Sequence, residues 1–163
     1  MNSPEEKFTI DYEYVVEKYS DMVYRIIMTI TGNNEDAKDA FQETFLRLVR
    51  SQEKIKDEEH LKAWLIRVAS NCAKTIVTSP WNKRTQGFEE NTEEVVYTEE
   101  EHSLLEEVRS LSPNYSLPIY LFYYEEYSIK EIAGILGKNE NTVKTLLSRG
   151  RTELKKRLEK GGE

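Results

Sequence analysis

From Ser128 to Leu147 the chain reads Ser-Ile-Lys-Glu-Ile-Ala-Gly-Ile-Leu-Gly-Lys-Asn-Glu-Asn-Thr-Val-Lys-Thr-Leu-Leu, a pattern that admits little besides two short helices joined by a tight turn. Ser128 with Glu131 three residues on makes a capping-box pair, so a helix is predicted to start there with Ile129, Ile132, Ala133 and Leu136 on one face. Gly137 supplies a left-handed turn. A second helix opens at Asn139 or Asn141, either able to accept a bond from free backbone N–H groups, and buries Val143, Leu146 and Leu147. The same spacing turns Asn141, Thr142, Lys144, Thr145 and Ser148 to solvent. Asn pairs bidentately with adenine, Lys meets guanine, and Thr offers a hydroxyl and a methyl, which is chemistry suited to a major-groove edge. The plain alternative is a helical hairpin with no ligand. Charge favours nucleic acid: Ser128 to Glu163 holds nine Lys/Arg against five Asp/Glu, a local +4 in a chain of net −7.

With 163 residues and a hydrophobic fraction of 38%, the chain has enough apolar content for small cores. One cysteine, Cys72, excludes a disulfide framework and a CxxC zinc site; its spacing from Val68, Ala69 and Ile76 predicts a core thiol. No apolar run approaches a membrane span, and Met-Asn-Ser-Pro-Glu-Glu lacks the basic and apolar segments of a signal peptide. A cytoplasmic protein without direct membrane insertion is expected. There is no phosphate-cradling glycine loop and no metal-spaced cluster, and His60 and His102 lack evident catalytic partners, so neither an enzyme nor a cofactor is expected.

The first eighty residues read as helical. Val15, Tyr19, Met22, Val23, Ile26, Ile27 and Ile30 recur at helical spacing and stop at Gly32. A second helix is expected from Asn34 as its cap, with Glu35 and Asp36 in the first turn and Ala37, Ala40, Phe41, Phe45, Leu48 and Val49 inward. A third runs from Asp57 through Leu61, Trp64, Leu65, Val68, Ala69, Cys72 and Ile76, and ends at Thr78-Ser-Pro80. Thr85 to Ser110 then carries nine Glu and a single Arg, which predicts a linker with few contacts between the parts on either side. Ser112 and Pro113 suit a cap and a first helical position; Pro118 either delays that helix or bends it.

The segment Glu35-Asp-Ala-Lys-Asp-Ala-Phe-Gln-Glu-Thr-Phe-Leu-Arg-Leu48 resembles the polymerase-binding motif of bacterial sigma factors. Leu61-Lys-Ala-Trp-Leu-Ile-Arg-Val-Ala-Ser-Asn71 and the helix-turn-helix follow in the family's order, so the chain is similar to the extracytoplasmic-function (ECF) group of the sigma-70 family from about Tyr12 to Leu158. The resemblance implies an all-α fold of two small helical domains: residues 1–84 like sigma region 2, an acidic linker over 85–110, and residues 111–163 like sigma region 4. It implies that the chain binds core RNA polymerase and directs promoter recognition and transcription initiation. The docking role falls on Asp36, Asp39, Gln42, Glu43, Thr44 and Arg47, a mostly acidic face that would otherwise be an ordinary solvated one. Contacts to a melted minus-10 strand fall on Lys54, Lys56, His60, Lys62, Asn71, Lys74, Lys83 and Arg84, with Trp81 nearby and Trp64 in the core. Minus-35 contacts fall on Lys138, Asn139, Asn141, Thr142, Lys144, Thr145, Ser148, Arg149, Arg151 and Lys155.

The chain departs from the family in two places. Many members follow the position of Asn71 with an acidic residue and a run of arginines; here the chain reads Cys-Ala-Lys-Thr-Ile-Val-Thr-Ser-Pro-Trp-Asn-Lys-Arg84. Fewer cations mean weaker phosphate contact. Leu146 also stands where many relatives have arginine. The acidic linker fits the positively lined polymerase channels that the family's linker threads, or serves as a solvated spacer. ECF factors are usually held by an anti-sigma factor, a further implied partner. Two other readings share part of the pattern: a stand-alone helix-turn-helix regulator, and a sigma-like protein that sequesters partners without initiating.

Overall fold

A computed structural model describes residues 7–79 and 106–161, and they are α-helical with no β-strand among them. Helix α1 spans Tyr12–Thr31: the Asp11 carboxylate accepts the Tyr14 N–H, and Gly32, at φ 73°, closes the far end in the left-handed conformation that glycine adopts without strain. Its buried residues include Val15, Tyr19, Met22, Val23, Ile26, Ile27 and Ile30, the spacing read from the sequence.

Helix α2 spans Asn34–Ser51, and its cap is Asn33, one residue earlier than expected. Asn33 Oδ1 accepts the Asp36 N–H at 2.9 Å, while the Asn34 side chain turns back to accept from the Tyr24 hydroxyl. Ala37, Ala40 and Leu48 are buried and Phe41 and Phe45 half-buried, but Val49, expected inside, is 52% exposed. Thr44 takes the inward place: it is fully buried, with its hydroxyl donating to the Ala40 carbonyl at 2.7 Å. A 3₁₀ turn, Gln52–Lys54, leads to α3, Glu58–Thr78, capped by Asp57 as predicted. Leu61, Leu65, Ala69 and Cys72 are buried, Trp64, Val68 and Ile76 half-buried. Ile66, Ser70 and Ala73 form a second buried line, because α3 packs against α1, α2 and a helix of the C-terminal half.

The expected linker contributes a helical stretch of its own, 106–110, with Val108 buried. Helix α4, Pro113–Tyr123, has Ser112 as cap and Pro113 at its start, and continues through Pro118. The bond lost at Pro118 belongs to the carbonyl of Asn114, an exposed residue in the first turn of the helix. Helix α5, Ile129–Leu136, shows the full capping box, and Gly137, at φ 66°, ends it. Helix α6 spans Glu140–Gly161. It crosses α4 at Gly150, where an added Cβ would lie 2.5 Å from Ile119 Cδ1 and 3.2 Å from Tyr115 Cβ.

The two halves do not stand apart. Helix α1 packs on α4, and α3 on α5, so one continuous apolar cluster runs from Ile10 to Leu147. The expectation of few contacts between the parts is corrected: it rested on the acidic stretch, and composition is silent about pairing between distant helices. Trp81, Lys83, Arg84 and most of the acidic stretch, His102 included, lie outside the described residues.

Candidate nucleic-acid interface

The outward face of α6 is set by its first turn. Asn139 Oδ1 accepts the Thr142 N–H at 2.7 Å and the Asn139 carbonyl accepts the Val143 N–H at 3.1 Å, so of the two asparagines Asn139 is the cap. Its amide oxygen is committed to the helix. Val143, Leu147 and Gly150 are buried inward, which leaves Asn141, Lys144, Thr145, Ser148 and Arg149 exposed and Thr142 and Leu146 half-buried. Lys138 is exposed in the turn before the helix. Thr152 extends the line of Asn141, Thr145 and Ser148 by one further turn, a position the sequence reading passed over.

Arg151 and Lys155 stand differently. Arg151 Nε donates to the Tyr123 hydroxyl at 2.6 Å, and its guanidinium lies 5.6 Å from the Phe122 and Tyr123 ring centroids. Both side chains rim an apolar groove of about 290 Å³ floored by Ile119, Leu154 and Leu158. A phosphate contact by Arg151 would have to share it with the Tyr123 hydroxyl.

The surface assigned to a melted strand is divided in two. Lys54, Lys56, His60 and Asn71 are exposed. His60 Nδ1 accepts the Lys56 N–H at 3.2 Å, fixing the ring against the loop and leaving Nε2 outward. Lys62 and Lys74, by contrast, are half-buried against the C-terminal half. Lys62 Nζ lies 3.3 Å from Glu125 Oε2 and 5.0 Å from the Tyr127 ring centroid. Burial, and then the charge of Lys138, pulls the Lys74 ammonium below its ordinary value. Between them Arg67, overlooked in the sequence, donates from Nε to the Ile135 carbonyl at 3.0 Å and from Nη2 to the Gly134 carbonyl at 3.1 Å. Its spacing from Asn71 and Lys74 was the signal that it shares their side of α3.

On α2, Asp39, Gln42 and Arg47 are exposed, Asp36 and Glu43 half-buried, and Glu43 Oε1 accepts from Arg47 Nε at 3.0 Å. Asp36 Oδ2 accepts a bond from Asn33 Nδ2 and so belongs partly to the cap. Thr44 is withdrawn from this set, because a side chain at 0% exposure meets no partner. Leu46 and Val49, 46% and 52% exposed, continue the line of Asp39 and Gln42 along the helix. A surface stripe acidic at one end and apolar at the other results, of the kind that receives a partner helix.

Residues 15–81 match the family described as sigma-70 region 2, and residues 101–154 match sigma-70 region 4. The chain is similar to the ECF RNA polymerase sigma factor SigE of Mycolicibacterium smegmatis, 28% identical across 91% of this chain and 62% of the relative, so it spans less than two thirds of that protein. It is similar to the RNA polymerase sigma factor SigV of Bacillus subtilis, 30% identical across 77% of this chain and 78% of the relative. Similarity to the ECF sigma factor SigW of Bacillus subtilis is 27%, across 88% and 87%. Among solved structures, the sigma factor RpoE of Bartonella quintana, crystallised in complex with the anti-sigma factor NepR, superimposes with a TM-score of 0.71 at 18% identity, over 91% of this chain and 97% of that one.

Proposed function

Because the chain belongs to the ECF group of the sigma-70 family, we propose that it binds core RNA polymerase, carries it to promoters and starts transcription there. The observation that carries the reading is the pairing, in one chain, of the exposed stripe Asp39, Gln42, Leu46 and Val49 on α2 with the capped helix-turn-helix of α5 and α6. A stand-alone regulator has use for the second surface only. Residues 1–84 take polymerase and the minus-10 element, and the C-terminal half, from its helical stretch at 106–110 onward, takes the minus-35 element. Asp36, Asp39, Gln42, Glu43 and Arg47 make the polar part of the docking face, and Leu46 and Val49 its apolar end. Lys138, Asn141, Thr142, Lys144, Thr145, Ser148 and Arg149 meet the upstream duplex, while Lys54, Lys56, His60 and Asn71 meet the downstream strand. The chain supplies recognition and the polymerase supplies the chemistry, so no reaction is assigned to the chain itself. It acts in the cytoplasm, where polymerase and DNA are, and an anti-sigma factor is its expected regulator.

The test is core-polymerase binding by charge-reversed and truncated α2. Asp39→Lys with Glu43→Lys should abolish binding while leaving folding intact, since exposed charges contribute little to stability. Leu46→Ala with Val49→Ala should weaken binding without unfolding the chain. Unchanged affinity in both double variants overturns the docking assignment.

A further inference from the structure

The loop that leads into α3 has its shape set by residues outside it. Ile55, extended at φ −92° and ψ 125°, is 3% exposed and seats its side chain in the core. The alternation of an extended backbone then turns its neighbours Lys54 and Lys56 outward, and both are exposed. From the first turn of α1, 40 residues away in the chain, the Tyr12 hydroxyl donates to Gln52 Oε1 at 2.6 Å. From the first turn of α3, His60 donates its N–H to Asp57 Oδ1 at 2.7 Å and accepts the Lys56 N–H on Nδ1 at 3.2 Å. The end of the loop is tied to α1 as well, since Glu58 Oε1 accepts from Tyr14, Lys18 and Tyr19. The two lysines therefore stand on a backbone that is fixed at both ends and pinned in the middle.

Resting on the sigma-factor reading, we propose that Tyr12 and His60 are positioning residues for the downstream strand: they fix the backbone of residues 52–57 and its two lysines, and the loop so fixed makes the contact. His60 then acts on the strand through the loop, and its working atom is Nδ1, which faces Lys56. Tyr12 acts through its hydroxyl, from a helix to which no strand contact has been assigned. A loop already held in one shape loses little freedom when a strand arrives, so affinity gains from both bonds. Base preference gains too, because backbone donors and acceptors held at fixed positions match one base edge better than another.

The probe is a fork template, duplex upstream and carrying an unpaired non-template strand randomised over its unpaired segment. Holoenzyme made from core RNA polymerase and the full chain captures templates, and sequencing the captured pool gives the base preference at each unpaired position. Tyr12→Phe and His60→Gln should each lower the strongest preference roughly five-fold, the effect of one lost hydrogen bond. The salt dependence of capture should stay as in the wild type, because neither change removes a phosphate contact. His60→Asn places Oδ1 where Nδ1 stood and can accept the Lys56 N–H, so it should recover most of the preference that His60→Gln loses. His60→Gln keeps a donor near the place of Nε2 but has no acceptor for the loop. Tyr12→Phe added to Gln52→Ala should lower the preference no further than Gln52→Ala alone, since both changes remove the same bond. A preference in His60→Asn no better than in His60→Gln overturns the role of His60. A wild-type preference in Tyr12→Phe, or losses that add in the pair with Gln52→Ala, overturns that of Tyr12. Core polymerase without the chain is the control that separates the two ideas: capture no better with the chain than without it sinks the sigma reading, and chain-dependent capture whose preference no variant alters sinks only the positioning of the loop.

Discussion

Glu58 ties the start of α3 to α1 through a single carboxylate oxygen. Tyr14 and Tyr19 hydroxyls each donate to Oε1 at 2.9 Å, and the Lys18 ammonium at 2.7 Å. Those bonds, from Lys18 first and then the two tyrosines, pull the carboxyl from 4.5 down to about 2. Its contribution to stability is therefore complete above pH 4.5 and is lost as the pH falls toward 2. Glu58→Gln should flatten the acid limb of a Tm-against-pH curve over that window and leave the curve at neutral pH less affected in shape; a parallel loss at every pH would contradict the carboxylate's role. At the other end of the molecule, Lys144 is exposed on the reading face and Arg151 is engaged by Tyr123. Lys144→Ala should cost about 1 to 3 kcal/mol at one base position of the upstream element, read by holoenzyme binding to single-base promoter variants. Arg149→Ala should weaken all variants alike and lower the salt slope by about 1. Equal losses on every variant for Lys144→Ala would assign it to phosphate.

At the scale of the element, the crossing of α4 and α6 has no room to spare. Gly150→Ala would set a methyl 2.5 Å from Ile119 Cδ1, which can turn aside, and 3.2 Å from Tyr115 Cβ, which cannot; that overpacking, offset by the roughly 1 kcal/mol that alanine gains over glycine inside a helix, should leave a net cost of about 1 kcal/mol, seen as a lowered Tm. Ser128→Ala, which breaks the capping box of α5, should cost about 1 kcal/mol without altering any surface on α6. Helix starts were legible in the sequence because caps are local chemistry: Asp57, Ser112 and Ser128 stand where spacing put them. Asn33 and Asn34 are chemically identical, and their partners tell them apart: Asn34 is taken by the Tyr24 hydroxyl of another helix, while Asn33 caps and also holds the Thr31 carbonyl and the Asp36 carboxylate. The inward faces of α1 and α3 were read from periodicity, but α2 was misread at Thr44 and Val49 because a buried threonine satisfies its hydroxyl on its own helix and so escapes the polar pattern. Lys62 and Arg67 look in sequence like ordinary solvated cations. Their partners are a distant carboxylate and two backbone carbonyls, and backbone acceptors leave no mark in a sequence.

Taken whole, the molecule is two helical halves packed on one continuous apolar core. The α2 stripe and the α6 face carrying Asn141, Lys144, Thr145 and Ser148 are both exposed, so the docking and duplex contacts proposed for them each have an accessible surface. The face of α3 proposed to meet the downstream strand is exposed at His60 and Asn71 and half-buried at Lys62 and Lys74. None of the helices among the described residues is long and apolar enough to cross a membrane. If this chain gives core polymerase its promoters, transcription reconstituted from purified parts should depend on it. Core RNA polymerase is mixed with the chain and a library of duplex templates randomised over the minus-35 and minus-10 segments, and transcript starts are sequenced with and without the chain. Chain-dependent starts should share a common pair of upstream segments and vanish with Asp39→Lys and Glu43→Lys. Starts identical with and without a folded, DNA-binding chain would contradict it.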